Sequence, residues 1–158
     1  MTAAGVRSAR RLPLTEGDDP GLMARIVRLQ ILAAEQLEDV AARHGIAFND
    51  YLVLGVIRRA SDGRCAPSFI CEVLHRTSGG MTLTLDRLER SGWVLRDRDQ
   101  HDRRRVVLRL TPAGRALAKA VNTALHTWEA SLGRPLSAQR SRAMMSGLDQ
   151  LLDLLEDQ

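Results

Sequence analysis

Aromatic residues and cysteines are scarce in this 158-residue sequence. Two Trp, one Tyr and two Phe make up 3% of the chain, whereas hydrophobic residues of all kinds make up 44%. The core must therefore be aliphatic and rich in alanine, which suits helices packed on helices. Because there are only two Cys and no secretory context, we expect both thiols to be reduced.

Long apolar runs and targeting signals are also missing. No stretch approaches the roughly 18 to 20 apolar residues that span a bilayer. Arg7, Arg10 and Arg11 have no apolar segment behind them, so the N-terminus is not a secretory signal. We expect a cytoplasmic protein with no membrane partner. Residues 1–18 lack periodicity and are expected to form a flexible basic arm, either as an ordinary chain end or as a contact to DNA phosphates.

Motifs for catalysis and metal binding are absent as well. The sequence has no GxGxxG, no phosphate-cradling GKS or GKT loop, no HExxH and no CxxC. The histidines are scattered without metal-ligand spacing: His44, His75, His101 and His126. The aspartates that resemble a carboxylate cluster stand among arginines, where charge balance explains them: Asp97, Asp99 and Asp102. We therefore expect neither an enzyme nor a protein with a metal or other cofactor.

Positive charge is concentrated in one short segment. The formal net charge is +4, from 23 basic and 19 acidic residues, which alone is a weak indication of a nucleic-acid partner. Residues 93–110, however, hold six Arg against three Asp, whereas residues 147–158 hold four acids and no base. An arginine-rich segment of this kind is typical of a surface that contacts a nucleic-acid backbone.

Periodic apolar residues predict three helices before this segment. The first starts at Asp19 and Pro20 and runs to about His44. The second spans about 49–60, and a short third helix spans about 67–75 after a turn. The residues of these two helices that we expect to face the core are Leu52, Val53, Val56, Ile57, Ile70, Val73 and Leu74.

A fourth amphipathic helix follows the third after a tight turn, which is typical of a helix-turn-helix whose second helix enters the major groove. Ser78 is its expected N-cap. Met81, Leu85 and Leu88 form the buried face. The residues expected to contact DNA are Ser78, Gly79, Gly80, Thr82, Leu83 and Arg87. Two interpretations of the paired glycines stay open: close packing in the turn, or bare N–H groups against a phosphate.

Two short β-prone runs, residues 93–95 and 106–110, follow the fourth helix. The loop between them is rich in arginine, so the runs predict a hairpin with a basic tip, or wing, and hence a winged helix-turn-helix. The loop arginines expected to contact DNA are Arg98, Arg103, Arg104 and Arg105.

Two further helices complete the sequence. Thr111 and Pro112 start the first, and Ser137 caps the second. The last helix has many aliphatic residues and little of its own domain left to cover them: Met144, Met145, Leu148, Leu151, Leu152 and Leu155. A second copy of the chain is the simplest partner that could bury these residues, so we expect a homodimer.

Three segments resemble the MarR family of bacterial transcription regulators: LDRLERSGWV at 85–94, DRR at 102–104 and LTPAG at 110–114. The order of helices and strands is also similar to that family. The resemblance implies a mainly α (α+β) fold within one domain at 19–158. In that domain a winged helix-turn-helix, at about 47–111, lies between dimerisation helices at about 19–44 and 112–156.

The resemblance further implies a homodimer that presents two winged helices to a palindromic operator in double-stranded DNA. In such proteins the helix matching 78–91 reads the major groove and the wing arginine, here Arg104, enters the minor groove. The wing-bracing residues that we carry over are Asp102 and Arg96. Where relatives tend to carry Lys or Arg, this chain has Leu83 and Thr84, which favours apolar and hydroxyl contacts with bases.

Family members often respond to small aromatic or anionic ligands bound between the dimer helices and the DNA-binding part. If this chain has such a ligand pocket, we expect His44, Tyr51 and Trp128 in its wall. Of the two cysteines, Cys71 is expected to be a small buried apolar residue, and Cys65, beside Arg64, the more reactive thiol.

Several functions are compatible with these features. The leading one is a ligand-responsive repressor, because the exposed face of the fourth helix is mixed rather than uniformly basic. The first alternative is an architectural protein that binds DNA without sequence preference and with a steep salt dependence. The second is a protein-interaction module that uses its winged helix to bind a protein and has no affinity for DNA.

Overall fold

The computed structural model describes residues 21–98, 102, 104–134 and 136–157. The predicted basic arm and the predicted cap at Asp19 and Pro20 lie outside these residues. The described elements are α1 (Gly21–Ala42), α2 (Phe48–Arg59), β1 (Arg64–Cys65), α3 (Pro67–Val73), α4 (Ser78–Arg90), β2 (Val94–Arg98), β3 (Val106–Leu110), α5 (Pro112–Gly133) and α6 (Ala138–Glu156). A single 3₁₀ turn at Ser61–Gly63 lies where the sequence predicts a turn.

The junction between α1 and α2 is fixed by a side chain of α1. Gly45 has a φ of +75°, a left-handed conformation that glycine adopts without strain, and the chain reverses there. Ala47, the N-cap of α2, has no side chain that could bind the free N–H groups. Glu38 of α1 supplies the acceptor instead, since the main-chain N–H of Phe48 donates to its Oε2 at 3.0 Å.

The wing belongs to a three-stranded antiparallel sheet with the order β1-β3-β2. The sequence predicted only a two-stranded hairpin, and β1 was missed because two residues are too short for a recognisable alternation. Cys65 of β1 pairs with Leu108, and Arg64 lies opposite Arg109. Strand β2 also runs to Arg98, so Arg96 and Arg98 lie in a strand rather than in the loop.

The core lies where α2, α3, α4 and α5 meet one face of the sheet. Its largest fully buried side chains are aliphatic or Met, as the composition predicted: Val53, Leu54, Ile57, Ile70, Met81, Leu88, Val94, Leu108, Leu110 and Val121. Two inward predictions were wrong, since Leu52 is only half-buried and lies outside the core cluster, and Val73 of α3 is exposed. Val56 packs against the core as predicted, and Leu54 and Tyr51 are buried as well. In α2 the error is a rotation by part of a turn, which a wide apolar stripe does not resolve.

The LTPAG segment joins the wing to α5 through a close backbone contact. Thr111 caps α5 by accepting a hydrogen bond from Gly114 N at 2.9 Å, and it donates one to Gly92 O at 2.7 Å. A Cβ on Gly114 would lie 2.0 Å from Trp93 O. Any side chain at that position would therefore force α5 away from the start of β2.

The two terminal helices leave apolar side chains uncovered. In α6 no described residue is buried, and Leu148 and Leu155 of the predicted stripe are exposed. In α1 the exposed apolar residues are Leu22, Met23, Leu29, Ile31 and Leu32. Within the described part of the chain, no helix has the length and hydropathy needed to cross a membrane.

Candidate nucleic-acid interface

Helices α3 and α4 form the predicted helix-turn-helix, and the turn between them contains a strained residue. His75 has a φ of +49°, which is uncommon for a residue with a side chain. The N-cap of α4 is Thr77, whose Oγ1 accepts a hydrogen bond from Gly80 N at 3.4 Å. The prediction of Ser78 as the cap was wrong by one residue, because Thr77 has the extended backbone of a cap and Ser78 is already helical.

The first turn of α4 exposes its backbone. Ser78, Gly79 and Gly80 are all exposed. A Cβ built on Gly79 would meet no described atom within 4 Å, and one on Gly80 would make only an ordinary contact with Thr77. Close packing therefore does not explain Gly79, which leaves open backbone at a helix N-terminus, a site suited to an anion.

Thr82 and Leu83 project from the exposed face of α4. Leu83 is 69% exposed, the largest value among the exposed apolar residues described. Thr82 Oγ1 donates to Ser78 O at 3.0 Å, which holds the hydroxyl close to the helix. Thr84 is buried, so the expected hydroxyl contact from Thr84 is wrong, and Thr82 is the exposed hydroxyl of this face.

Arg87 has a protein partner that the sequence did not predict. Its Nε donates to Asp50 Oδ2 at 2.8 Å and its Nη2 donates to Asp50 Oδ1 at 2.6 Å. These hydrogen bonds, together with the charge of Asp50, raise the pKa of Arg87 above its ordinary value. Asp50 itself is buried in α2. The sequence signal for this pair was that Asp50, an acidic residue, stands next to Tyr51 among the apolar residues of α2 and therefore needs a partner.

The two bracing residues make separate sets of contacts. Arg96 of β2 donates to Asp86 Oδ1 at 2.5 Å and to Glu89 Oε2 at 2.9 Å, so it joins the base of the wing to α4. Asp102 acts within the wing loop, where its Oδ1 accepts from Arg104 N at 3.0 Å and its Oδ2 lies 3.6 Å from Arg105 Nε.

The wing carries exposed arginine side chains. Arg98, Arg104 and Arg105 are exposed, and Arg103 lies outside the described residues. Next to Arg98, the side chain of Asp97 in β2 accepts a hydrogen bond from Arg109 Nε of β3. The charges of Asp97 and Arg109 therefore offset each other, while Arg98, Arg104 and Arg105 are exposed to solvent.

His44 and Trp128 line a cleft between α1 and α5 of about 510 Å³. The other lining residues are Gln36, Asp39, Val40, Arg43, Ala124, Thr127 and Ser131. Tyr51 does not line this cleft. It is buried in the core, and its hydroxyl donates to Asn122 Oδ1 on α5 at 3.3 Å. Its assignment to the pocket wall is therefore corrected.

Both cysteines are free, and the assignment of the reactive thiol was wrong. Cys65 lies in β1 rather than in a loop, and burial raises its pKa to about 11. Cys71 is half-buried. Among the described residues, no three His, Cys, Asp or Glu side chains are grouped so that they could hold a metal ion.

Comparison with known sequences identifies related regulators. The sequence model of the MarR family matches residues 44–105. The HTH-type transcriptional regulator TtmR of Methylorubrum extorquens is 30% identical in an alignment 158 positions long, which covers 97% of this chain and 79% of TtmR. The regulator PecS of Dickeya dadantii is 30% identical over 101 residues, 63% of this chain. That match spans 61% of PecS, less than two thirds of its length.

Solved structures of MarR from E. coli have the same fold. The wild-type apo form superimposes with a TM-score of 0.72 at 24% identity, covering 85% of this chain and 99% of MarR. A mutant of E. coli MarR complexed with operator DNA gives a TM-score of 0.65 at 26% identity, covering 84% of this chain and 99% of MarR. The expected winged helix-turn-helix is thus confirmed, and this chain belongs to the MarR family, whose matching members are transcriptional regulators and not enzymes.

Proposed function

We propose that this chain is a sequence-specific DNA-binding repressor that acts as a homodimer on a palindromic operator and is released by a small ligand. The observation that carries the proposal is the exposed face of α4. An open helix N-terminus at Gly79, a hydroxyl at Thr82 and an exposed side chain at Leu83 lie on one helix that is braced against the wing. A phosphate contact, a polar base contact and an apolar base contact are thereby available together.

The wing supplies the second part of the DNA contact. Exposed Arg98, Arg104 and Arg105 would neutralise phosphates, and Arg104 would enter the minor groove next to the half-site. The hydrogen bond from Arg104 N to Asp102 supports this role, since it fixes the backbone from which Arg104 projects. The structure of a mutant of E. coli MarR complexed with operator DNA supports DNA binding by this chain.

The terminal helices support the homodimer. Leu22, Leu29 and Leu32 of α1 are exposed, as are Leu148 and Leu155 of α6. Apolar side chains arranged along two helices of one chain have no cover in the described monomer, and a second copy buries both sets symmetrically. The dimer would then present two α4 helices to half-sites about one turn of DNA apart.

The cleft between α1 and α5 is the candidate ligand site. Trp128 offers an aromatic face, and Arg43 and His44 offer cationic or hydrogen-bonding groups, with Asp39 as the opposing acid. A small aromatic anion fits this combination, because it can stack on the indole and pair with Arg43. Because α5 also contacts α2, a ligand here lies one helix away from the DNA-binding part.

An architectural DNA-binding protein remains the alternative function. The arginine-rich wing would suffice for it, but an exposed leucine on the recognition helix adds nothing to phosphate binding. A protein-interaction module would equally not need open backbone at Gly79. The mixed character of the α4 face therefore favours sequence-specific DNA binding over both.

Selection from a random duplex library tests the proposal. Wild-type protein should enrich an inverted repeat, hereafter the selected duplex, and should bind it about 10³-fold or more tightly than a scrambled duplex of the same length at one salt concentration. No enrichment together with salt-sensitive binding to all duplexes would indicate the architectural alternative. No binding even at low salt would indicate a protein-interaction module.

A further inference from the structure

Helix α2 contacts the recognition helix and α5 through two adjacent side chains. Asp50 accepts two hydrogen bonds from Arg87 of α4, at 2.8 and 2.6 Å. Tyr51, the next residue, donates its hydroxyl to Asn122 Oδ1 of α5 at 3.3 Å. Because consecutive residues of a helix point about 100° apart, one turn of α2 reaches two different helices.

The contact between Asp50 and Arg87 restricts orientation as well as distance. A guanidinium that donates two parallel hydrogen bonds to one carboxylate is held in a single plane, which an ammonium group is not. The side chain of Asp50 is 6% exposed and that of Arg87 is 52% exposed. The carboxylate is thus enclosed by the core, and the arginine reaches in to it from the recognition helix.

Two further arginines form contacts that connect the recognition helix α4 and the turn before it to neighbouring elements. Arg76, in the turn before α4, donates its Nη2 to Asn49 Oδ1 at 2.6 Å, next to Asp50 in α2. Arg96 attaches α4 to the wing through Asp86 and Glu89. Of these contacts, the one to Asp50 is the only one whose acceptor is buried among the described residues, so solvent competes least with it.

We propose that Asp50 is a positioning residue for the reading of DNA sequence, acting through Arg87. The pair fixes the rotation of α4 about its own axis. Leu83 lies one turn before Arg87 on the same side of α4, so a rotation that follows release of Arg87 also moves Leu83. This inference rests on the proposed sequence-specific DNA binding, and it assigns the Arg87 guanidinium to Asp50 rather than to a phosphate.

Loss of the pair should affect specificity more than general affinity. Phosphate contacts come from the wing and from the N-terminus of α4, and they act on any sequence. Base-edge contacts need the recognition side chains in one orientation, since hydrogen bonds and methyl contacts in the groove are short-ranged. A small rotation of α4 therefore reduces binding to the selected duplex and leaves binding to a scrambled duplex nearly unchanged.

The experiment compares Asp50→Asn, Arg87→Gln and the double variant. Each full-length protein is titrated at one salt concentration with the selected duplex and with the scrambled duplex. We expect Asp50→Asn to lower the affinity ratio between the two duplexes about tenfold. Arg87→Gln and the double variant should lower the affinity ratio by the same factor. Each single substitution already breaks the contact between Asp50 and Arg87, so combining them has no further effect.

Two control variants distinguish a change in the orientation of α4 from a change in the net charge of the protein. Glu72→Gln removes one negative charge from an exposed residue of α3 and should shift both duplexes equally. Arg87→Lys keeps the positive charge but loses the paired hydrogen bonds, so it should behave like Arg87→Gln if orientation matters. If Arg87 instead contacted a phosphate, Arg87→Lys would restore binding to both duplexes.

Melting curves of all variants complete the test. If Asp50→Asn unfolds, Arg87→Lys and the double variant still decide the question, because Arg87→Lys keeps a cation beside the buried carboxylate and the double variant leaves no buried charge unpaired. An unchanged affinity ratio in a folded Asp50→Asn variant would contradict the inference alone. Failure of the wild-type protein to prefer any duplex would contradict the proposed function instead, and the inference with it.

Discussion

Leu83 differs from the other leucines of its helix. Leu85 and Leu88 of α4 are buried in the core, whereas Leu83 is 69% exposed. In water an exposed leucine contributes no burial, but in a major groove its side chain can cover a thymine methyl group. Leu83 therefore belongs to the surface that we propose for reading bases.

Replacement of Leu83 by Ala tests this role. We expect weaker binding to the selected duplex and nearly unchanged binding to the scrambled duplex, because no phosphate contact is lost. The melting temperature should stay close to that of the wild type, since the removed atoms are not in the core. An affinity ratio equal to that of the wild type would mean that Leu83 does not contact the bases. A large drop in melting temperature would mean that Leu83 packs in the core.

Cys65 provides a pH-dependent test of the fold. Its pKa rises from the ordinary value of 9.0 to about 11 because the thiol is buried. The unfolded state therefore ionises first as the pH rises, so the free energy of unfolding should be unaffected below about pH 9 and fall between about pH 9 and 11. At about pH 8, iodoacetamide should label Cys71 well before Cys65, as measured by mass spectrometry. Faster labelling of Cys65 would mean that β1 is not formed.

Single residues show where reasoning from sequence succeeds and where it fails. The exposure of Leu83 follows from helical periodicity, which is a local property. The partner of Arg87 does not follow from it, because Asp50 is 37 residues away along the chain and the two meet only after α2 packs against α4. The reactivity of Cys65 was misjudged for the same reason, since β1 exists only through its pairing with β3.

At the level of elements, the helices and the cap at Thr111 were predictable because their signals are local. Proline at the first helical position and a threonine before it define the start of α5 within four residues. The rotation of α2 and the two-residue strand β1 were not predictable. Both are set by contacts with elements that are distant in sequence.

Two arginines of the wing, Arg104 and Arg98, are expected to differ in their contribution to DNA binding. Arg104→Ala should weaken binding to the selected duplex by about 1 to 3 kcal/mol if its side chain lies in the minor groove. Arg98→Ala should cost less and should lower the slope of log K against log salt by about one, because Arg98 lies at the end of β2 and would contact only a phosphate. Equal losses of affinity in the two variants would mean that the wing arginines act only as a diffuse basic patch.

At the level of the whole molecule, the uncovered apolar side chains of α1 and α6 support the homodimer. Deletion of residues 137–158 should give a monomer or an aggregate by light scattering, because the exposed leucines of α1 lose their cover. Leu155→Lys should weaken the dimer, whereas Gln150→Lys, which adds the same charge at an exposed polar residue of α6, should leave it intact. A soluble dimer after the deletion would contradict the assigned interface.

In the proposed homodimer, two copies of α4 bind the two half-sites of one operator. To test this, the wild-type protein is titrated with the selected duplex and with the same duplex after one half-site has been scrambled. We predict a complex of two chains per selected duplex and an affinity loss on the order of 100-fold when one half-site is scrambled, the size of several lost base contacts. Equal affinity for the two duplexes would contradict binding of both half-sites by one dimer.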